Sequence, residues 1–465
     1  MIDRDSDVAL PDGWAAAALG DIADCRLGKM LDQVKNRGEE RPYLRNVNVQ
    51  WGYIALDDIK YMRITTDEEE RYAVQPGDLL VCEGGEPGRC AVWRDGREMY
   101  LQKALHRVRP RGGGSPDYLR WWLQYSASAG RLDRLLTGST IKHLPGRQLA
   151  RADVVLPPVA EQQRIAERLD EIERRQASAQ RHLHCALDIV ERFRRAVLDA
   201  ACSGRLTADW RDENPEPTPD IPRSWRRAVF AELTVSIRGG SGEVPTVVTT
   251  DLPILRSSSV RPLCINYDDV RYLASEQSYT AANFVEDGDL LVTRLNGNID
   301  YVGNAAVVNG LGDRRLQYPD RLFRLRLEEP AYAAYVELFF ASSHARAQVH
   351  AASRSAAGHQ RISVSDLERF SIDVPPLDEQ AEIVRRAGAL LATGDGLLAR
   401  VRRAGAVVDQ TASAALAKAF RGELVLTEAA LAAEENRDFE SAEEILARIN
   451  TIASTEPSRR PRARV

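Results

Sequence analysis

The sequence predicts an α+β protein: two similar α+β heads joined by two long antiparallel helices that form a coiled coil, with a pseudo-two-fold relation between the halves. Three observations predict it. A long repeat covers most of the 465 residues, each copy holds short β-rich runs with one amphipathic helix, and each copy ends in a heptad seam of the same length.

The repeat begins at Leu10, Pro11 and Trp14, followed by Leu19, Asp21 and Ile22. These return as Ile221, Pro222 and Trp225, then Phe230, Glu232 and Leu233, at an offset of 211. Pro42, Leu44, Arg45 and Val49 return as Pro253, Leu255, Arg256 and Val260, and Gly77-Asp78-Leu79-Leu80-Val81 as Gly288-Asp289-Leu290-Leu291-Val292, at the same offset. Small insertions then raise it to 218, where Pro157-Pro158 and Glu161-Gln162 match Pro375-Pro376 and Glu379-Gln380. The chain therefore divides into a first head (1–156), a first rod (157–204), a linker (205–220), a second head (221–374), a second rod (375–422) and a partly disordered tail (423–465).

Within the heads, Asp78 to Val81, Cys90 to Trp93 and His106 to Arg109 are short runs bounded by Gly or Pro and read as strands. Tyr118 to Leu136 and Tyr332 to Ala351 carry apolar residues at three-to-four spacing after a proline, which predicts one helix late in each head. Trp14, Trp225, Trp121 and Trp122 read as core.

The first rod places Ile165, Leu169, Ile172, Gln176, Ala179, Leu183, Ala186, Val190, Phe193 and Val197 at alternating steps of four and three, a heptad seam. The second places Ile383, Ala387, Leu390, Gly394, Leu397, Val401, Ala404, Val408, Thr411 and Ala415 in register, and the interruption shared by Gln176 and Gly394 predicts mutual packing. Some forty residues make a rod of ~60 Å. Glu161 and Glu379 suit the first turn, and Gly204 and Gly422 suit left-handed caps. Antiparallel return of the second rod turns the tandem repeat into an inverted pair of surfaces, as the two strands of a DNA duplex would require. A coiled coil between separate chains is the alternative.

The apolar fraction of 44% and charged fraction of 28% are ordinary for a globular protein, and no run approaches the roughly 18 apolar residues of a membrane span. Met1 to Val8 lack the basic and hydrophobic regions of an export signal, so a cytoplasmic location is expected. Six scattered cysteines without metal-ligand spacing read as reduced thiols. The net charge of −5 argues against a nucleic-acid partner, but phosphate attraction acts over about a Debye length, ~8–10 Å, so local charge decides. The first head supplies it: residues 94 to 147 hold eleven Lys/Arg against four Asp/Glu.

Catalytic signatures are missing. The chain has no S-adenosylmethionine glycine loop and no (Asn/Asp)-Pro-Pro-(Tyr/Phe) element, and Gly84-Gly85-Glu86-Pro87-Gly88 lacks the Gly-Lys-Ser/Thr of a phosphate loop. Neither a nuclease-like carboxylate pair with a nearby lysine nor a repeated Ser/Cys/His cluster supports hydrolysis. A chain without enzymatic activity, cofactor or metal of its own is expected.

From about Leu10 to Leu426 the sequence resembles the specificity subunit of type I restriction-modification systems. Three motifs, each present twice, carry the resemblance: Leu/Ile-Pro-x-x-Trp at the start of each half; a polar loop closing each head (Gly138 to Leu144 and Gly358 to Ile362); and rods that open with Pro-Pro-x-x-Glu-Gln and end in Ala-x-x-Gly-x-Leu (Ala201 to Leu206 and Ala419 to Leu424). The resemblance implies that each head is a target-recognition domain reading half of a bipartite DNA site, while the rods set the gap. Two modification subunits using S-adenosylmethionine would dock on the chain, and restriction subunits using ATP and Mg would complete the complex. The tail after Leu426, acidic from Glu428 to Glu444 and basic from Arg459 to Arg464, departs from that pattern and reads as a poorly ordered appendage.

Residues able to meet phosphates and base edges are Arg45, Lys103, Arg107, Arg109, Lys142 and His143 in the first head, and Arg256, Arg294, Asn296, Arg321, Arg324, Arg326, Gln360 and Arg361 in the second. Strand alternation puts Arg107 with Arg109, and Arg324 with Arg326, on one face. Those arginines also suit salt bridges to a partner subunit, and a coiled-coil scaffold or regulator without a modification partner is the competing reading.

Overall fold

The computed structural model describes residues 9–32, 36–138, 140–211, 222–274, 280–356 and 359–455. The chain forms two compact units: Met1–Arg181 with Gly405–Val465, and His182–Ala404. Each head thus shares a unit with part of both rods.

In the first unit, Ala15–Ala18 pairs antiparallel with Asp153–Leu156 and closes the head at its base. The central sheet holds β1 (Ala23–Leu27), β2 (Leu79–Cys82), β3 (Cys90–Val92) and β4 (Leu105–Pro110), antiparallel in the order β1-β4-β2-β3. Strand β2 is apolar throughout because both of its faces are covered. Leu79 and Val81 join the core of Trp14, Trp121, Trp122 and Ile165, while Leu80 and Cys82 join a second core with Leu44, Trp93 and Leu101. Helix α1 (Pro116–Ser128) starts on an N-cap, Ser115, whose side chain accepts from Tyr118 N, with Pro116 in the first turn. It stops before the predicted end at Leu136, because Gly130 turns left-handed at φ 68° and Asp133–Leu135 form a separate 3-10 turn.

The second unit repeats the plan. Arg226–Val229 pairs with Ser371–Val374, and β5 (Thr234–Gly239), β6 (Leu290–Thr293), β7 (Ala305–Val307) and β8 (Leu322–Leu327) stand antiparallel in the order β5-β8-β6-β7. The predicted Tyr332–Ala351 helix is two helices, α3 (Ala333–Ala341) and α4 (Ser343–Ala352). Ser342 divides them: its backbone is extended, and its Oγ accepts from Ala345 N while donating to Phe339 O. A short polar side chain offers the backbone an alternative to the helix ladder.

The rods are α2 (Val159–Cys202) and α5 (Leu377–Ala419), and within each unit they run antiparallel. In the first unit Gln176 and Gln180 of α2 both donate to Asp409 Oδ1, at 3.3 and 3.0 Å, and Arg164 pairs with Glu428 beyond the end of α5. In the second unit Arg194 pairs with Asp395, and Val197, Leu198 and Ala201 share a core with Ile383, Ala387 and Leu391. The rods pack together as predicted, and each seam interruption has its own neighbour on the facing rod. Gln176 meets Asp409, whereas the missing side chain of Gly394 makes room for Phe193.

In each unit the Leu/Ile-Pro-x-x-Trp motif, the opening of a rod and the end of a rod converge, and the rod end comes from the other copy. Trp14 donates to Glu161, and Trp225 to Glu379. Gln162 and Gln380 each donate back to the first proline of their motif, Pro157 O and Pro375 O, at 2.8 Å. Pro11 lies against Gly422, and Pro222 against Gly204. Both glycines are left-handed, at φ 75° and 74°, as the sequence indicated.

The tail corrects an expectation. Over residues 428–455 it is packed: α6 (Glu428–Glu435) and α7 (Ala442–Thr455) belong to the first unit, with Ala442, Ile445 and Ile449 buried and Ala442 N bonded to Gly13 O at 2.9 Å. The three-to-four spacing of those apolar residues makes one adhesive face, and the acidic residues pair outside it, as Glu440 does with Arg448. The basic end from Arg459 to Arg464 lies outside the described residues. All six cysteines are free thiols. Among the described residues, no helix is long and apolar enough to cross a membrane.

Candidate nucleic-acid interface

A contact made by equivalent residues in both heads serves the common fold, whereas heads that read different sequences must differ where they read. This criterion removes six of the fourteen candidates. Arg45 bonds Asp58 Oδ2 at 2.7 Å, and Arg256 bonds Asp269 Oδ1 at 2.8 Å. Arg107 is buried and donates to Ala73 O at 2.9 Å, and Arg324 is buried and donates to the equivalent Phe284 O. Arg109 grips both oxygens of buried Asp78 at 2.6 and 2.9 Å, and Arg326 holds buried Asp289 at 2.8 Å.

Alternation did put Arg107 and Arg109 on one face, but β4 is an inner strand and that face is covered from within. Burial lowers the Arg107 pKa, while the bond to Asp78 raises that of Arg109 and the bond to Asp289 raises that of Arg326. These six arginines brace the heads, so they are corrected from DNA contacts to scaffold. Lys142 also has an internal charge partner, but only loosely: its Nζ is 3.6 Å from Asp133 Oδ1 and its side chain is 60% exposed, so it stays available.

The remaining candidates gather at one end of each central sheet. In the second unit, just past β6, Arg294 N donates to Arg321 O at 2.9 Å and Arg294 O accepts from Ile362 N at 3.1 Å. Asn296 pairs with Gln360, and Leu295 with Arg361, in a short antiparallel register. Arg294, Asn296, Arg321, Gln360 and Arg361 are thereby brought together. Arg294 lies 5.5 Å over the Phe323 ring and donates through Nη1 to Asp320 O at 3.1 Å, while Arg321 and Arg361 are exposed. A hairpin adds Arg354, exposed and paired across from Arg361. Sequence reading missed it because the polar loop alone was considered, not the strand that precedes it.

The first unit has the same junction with different side chains. Glu83 N donates to Ala104 O at 2.9 Å, Leu144 N donates to Glu83 O at 2.7 Å, and Lys103 N donates to Lys29 O at 2.8 Å. By this register Glu83 replaces Arg294, Ala104 replaces Arg321, Lys142 replaces Gln360 and His143 replaces Arg361. Lys103, Lys142 and His143 therefore share one rim, and Asn46 joins it by donating to Gly84 O at 3.3 Å. Below the rim, buried His106 holds the polar loop through Nε2 and Leu144 O at 2.8 Å, and burial lowers its pKa toward the neutral form. Neither Asn46 nor His106 had a sequence signal, since their roles depend on strands distant in the chain. Among the described residues, no cluster of three or more His, Cys, Asp or Glu side chains is arranged to hold a metal ion.

The two units thus carry different polar rims on one shared frame. Residues 11–183 match the family model described as the type I restriction modification DNA specificity domain. The chain is 29% identical over 433 residues to the EcoKI specificity subunit of Escherichia coli K12, covering 89% of this chain and 90% of that one. It is 27% identical over 424 residues to the StySPI specificity subunit of Salmonella potsdam, with coverage of 89% and 90%. Among solved structures, the HsdS subunit from Thermoanaerobacter tengcongensis shares the fold at a TM-score of 0.53, with 19% identity and coverage of 90% and 99%. A chain from a structure concerned with assembly of the type I R-M system shares it at 0.65, also 19% identical, with coverage of 90% and 100%. Across most of its length the chain is thus similar to DNA sequence-specificity subunits of type I restriction-modification systems.

Proposed function

We propose that each head reads one half of a bipartite duplex site through its rim, that the paired rods fix the gap between the halves, and that rods and heads dock two modification subunits. The observation that carries this reading is the difference between the rims on an otherwise repeated frame. Arg294, Arg321, Arg354 and Arg361 with Asn296 and Gln360 offer donors suited to guanine and adenine edges and to phosphates, and Lys103, Lys142, His143 and Asn46 offer a different set. The chain contributes recognition and no catalysis. Methyl transfer from S-adenosylmethionine belongs to the modification subunits, and ATP- and Mg-dependent cleavage to the restriction subunits.

The test is to assemble the chain with its modification subunits, map the methylated motif, and repeat the mapping with one heptad inserted in both rods. A bipartite motif whose gap changes with the insertion supports the reading. A contiguous motif, or an unaltered gap, overturns it.

A further inference from the structure

The rod ends reveal a socket filled in one unit and open in the other. Tyr118 OH donates to Val155 O at 2.5 Å, and Tyr335 OH donates to Asp373 O at 2.7 Å, which fixes the correspondence of the two heads here. In that register Trp122 matches Phe339, Tyr125 matches Ser342, and Phe420 at the end of the second rod matches Cys202 at the end of the first. In the first unit Phe420 stacks on Tyr125 with centroids 4.9 Å apart and meets Trp122 edge-on at 5.1 Å and Tyr118 at 5.7 Å. In the second unit neither ring of the stacked pair is present. The space is left as an open cavity of about 550 Å³, whose walls include Cys202, Phe339, Ser342 and His344. Close-packed interiors leave few voids larger than a water, so this is a concavity shaped by the frame and not by slack packing.

We propose that this cavity is a socket for an aromatic side chain of a modification subunit, a proposal that rests on the reading of the chain as a docking platform for that subunit. Both carboxylates at the wall have partners, and Ser203, Arg205 and His344 complete the lining. Asp199 accepts from Ser343 N and Oγ, both at 2.8 Å, and Asp373 accepts from Arg227 Nε at 2.8 Å, so neither carboxylate calls for a cationic guest. Phe339, buried beneath the His344 ring with centroids 6.0 Å apart, and Cys202 form the floor of the cavity, and burial pushes the Cys202 thiol up to about 12, leaving it inert as a nucleophile. An aromatic ring completes this frame where the chain supplies its own in the first unit, and buried aromatic anchors are the side chains that dominate protein interfaces. A second copy of the chain has its own Phe420 buried at 6% exposure, so that ring is not free to serve.

Cys202→Phe would place in the second unit the ring that the first unit already has. Full-length chain and modification subunit are titrated, with subunits per chain counted by native mass spectrometry. The variant should bind one of its modification subunits at least about tenfold more weakly, so that one-to-one complexes persist where the native chain holds two. Cys264→Phe, at an exposed cysteine elsewhere in the second head, should bind as the native chain does. If Cys202→Phe melts early, Cys202→Leu fills less of the cavity and should give a smaller loss in the same direction. Two subunits bound with native affinity by a folded filled variant overturn the socket while leaving the docking reading intact. Loss of chain self-association alone would assign the socket to a second copy and also overturn it. A native chain that binds no modification subunit overturns both.

Discussion

The indole nitrogen of Trp14 donates to Glu161 Oε1 at 3.0 Å in a site closed to solvent. The other carboxylate oxygen accepts from Glu428 N at 2.8 Å, tying the start of the head, the start of its rod and the segment beyond the other rod into one knot. In the second unit Glu379 takes Trp225 at 2.9 Å, Thr207 Oγ1 at 2.7 Å and Arg211.

Burial raises the Glu161 pKa above the ordinary carboxylate value. Between that value and the raised one, the folded chain holds a proton that the unfolded chain releases. This contribution to stability therefore falls as pH rises through the window and is flat above it. Glu428, held low by Arg164 and Arg437 despite its own burial, acts oppositely at lower pH. Trp14→Phe removes a donor from the carboxylate, should cost about 1–3 kcal/mol, and should steepen the fall. Urea unfolding at a series of pH values checks this.

Gly422 is left-handed, and a Cβ there would stand 2.5 Å from Pro11 Cγ; at Gly204 it would collide with Pro222 Cγ in the same way. Gly422→Ala should destabilise the first unit by roughly 1–2 kcal/mol from the backbone alone, with the clash added. Hydrogen exchange should show faster opening around Trp14 for Gly422→Ala, and around Trp225 for Gly204→Ala. Equal effects in both units would count against this assignment.

Arg109→Ala leaves Asp78 buried without its guanidinium. Complete breakage of buried pairs costs more, but Arg109 is 36% exposed and solvent screens part of the interaction, so about 1–3 kcal/mol is expected. The thermal midpoint should drop while the methylated motif stays the same. A relaxed motif without loss of stability would return Arg109 to the reading surface.

Arg321 and Arg361 make the opposite prediction. Replacing either with Ala should leave the melting temperature within experimental error and relax recognition in one half of the motif, weakening discrimination by about 1–3 kcal/mol for each base edge that is no longer read. Methylome mapping separates the halves. Relaxation of both halves together would mean that the heads do not read separately.

The repeat, the two rods and their glycine caps are legible in the sequence because each depends on local periodicity or on backbone conformation at one residue. Trp14 and Trp122 read as core for the same reason. Arg107 and Arg109 mislead. Alternation shows that two side chains share a face, but only the strands brought alongside β4 show that Asp78 and Ala73 O already occupy it. The tail misleads likewise: Ala442, Ile445 and Ile449 form a face that local composition hides beneath acidic residues, and its complement near Gly112 lies hundreds of residues away.

By itself, then, the chain's order of residues determined the doubled plan and the lengths of its parts, which local propensity and periodicity encode. Tertiary structure alone decided which polar groups are spent on internal partners and which stand free at the rims. It also brought a glycine from one copy against the proline of the other, because burial and pairing arise from segments that meet only after folding.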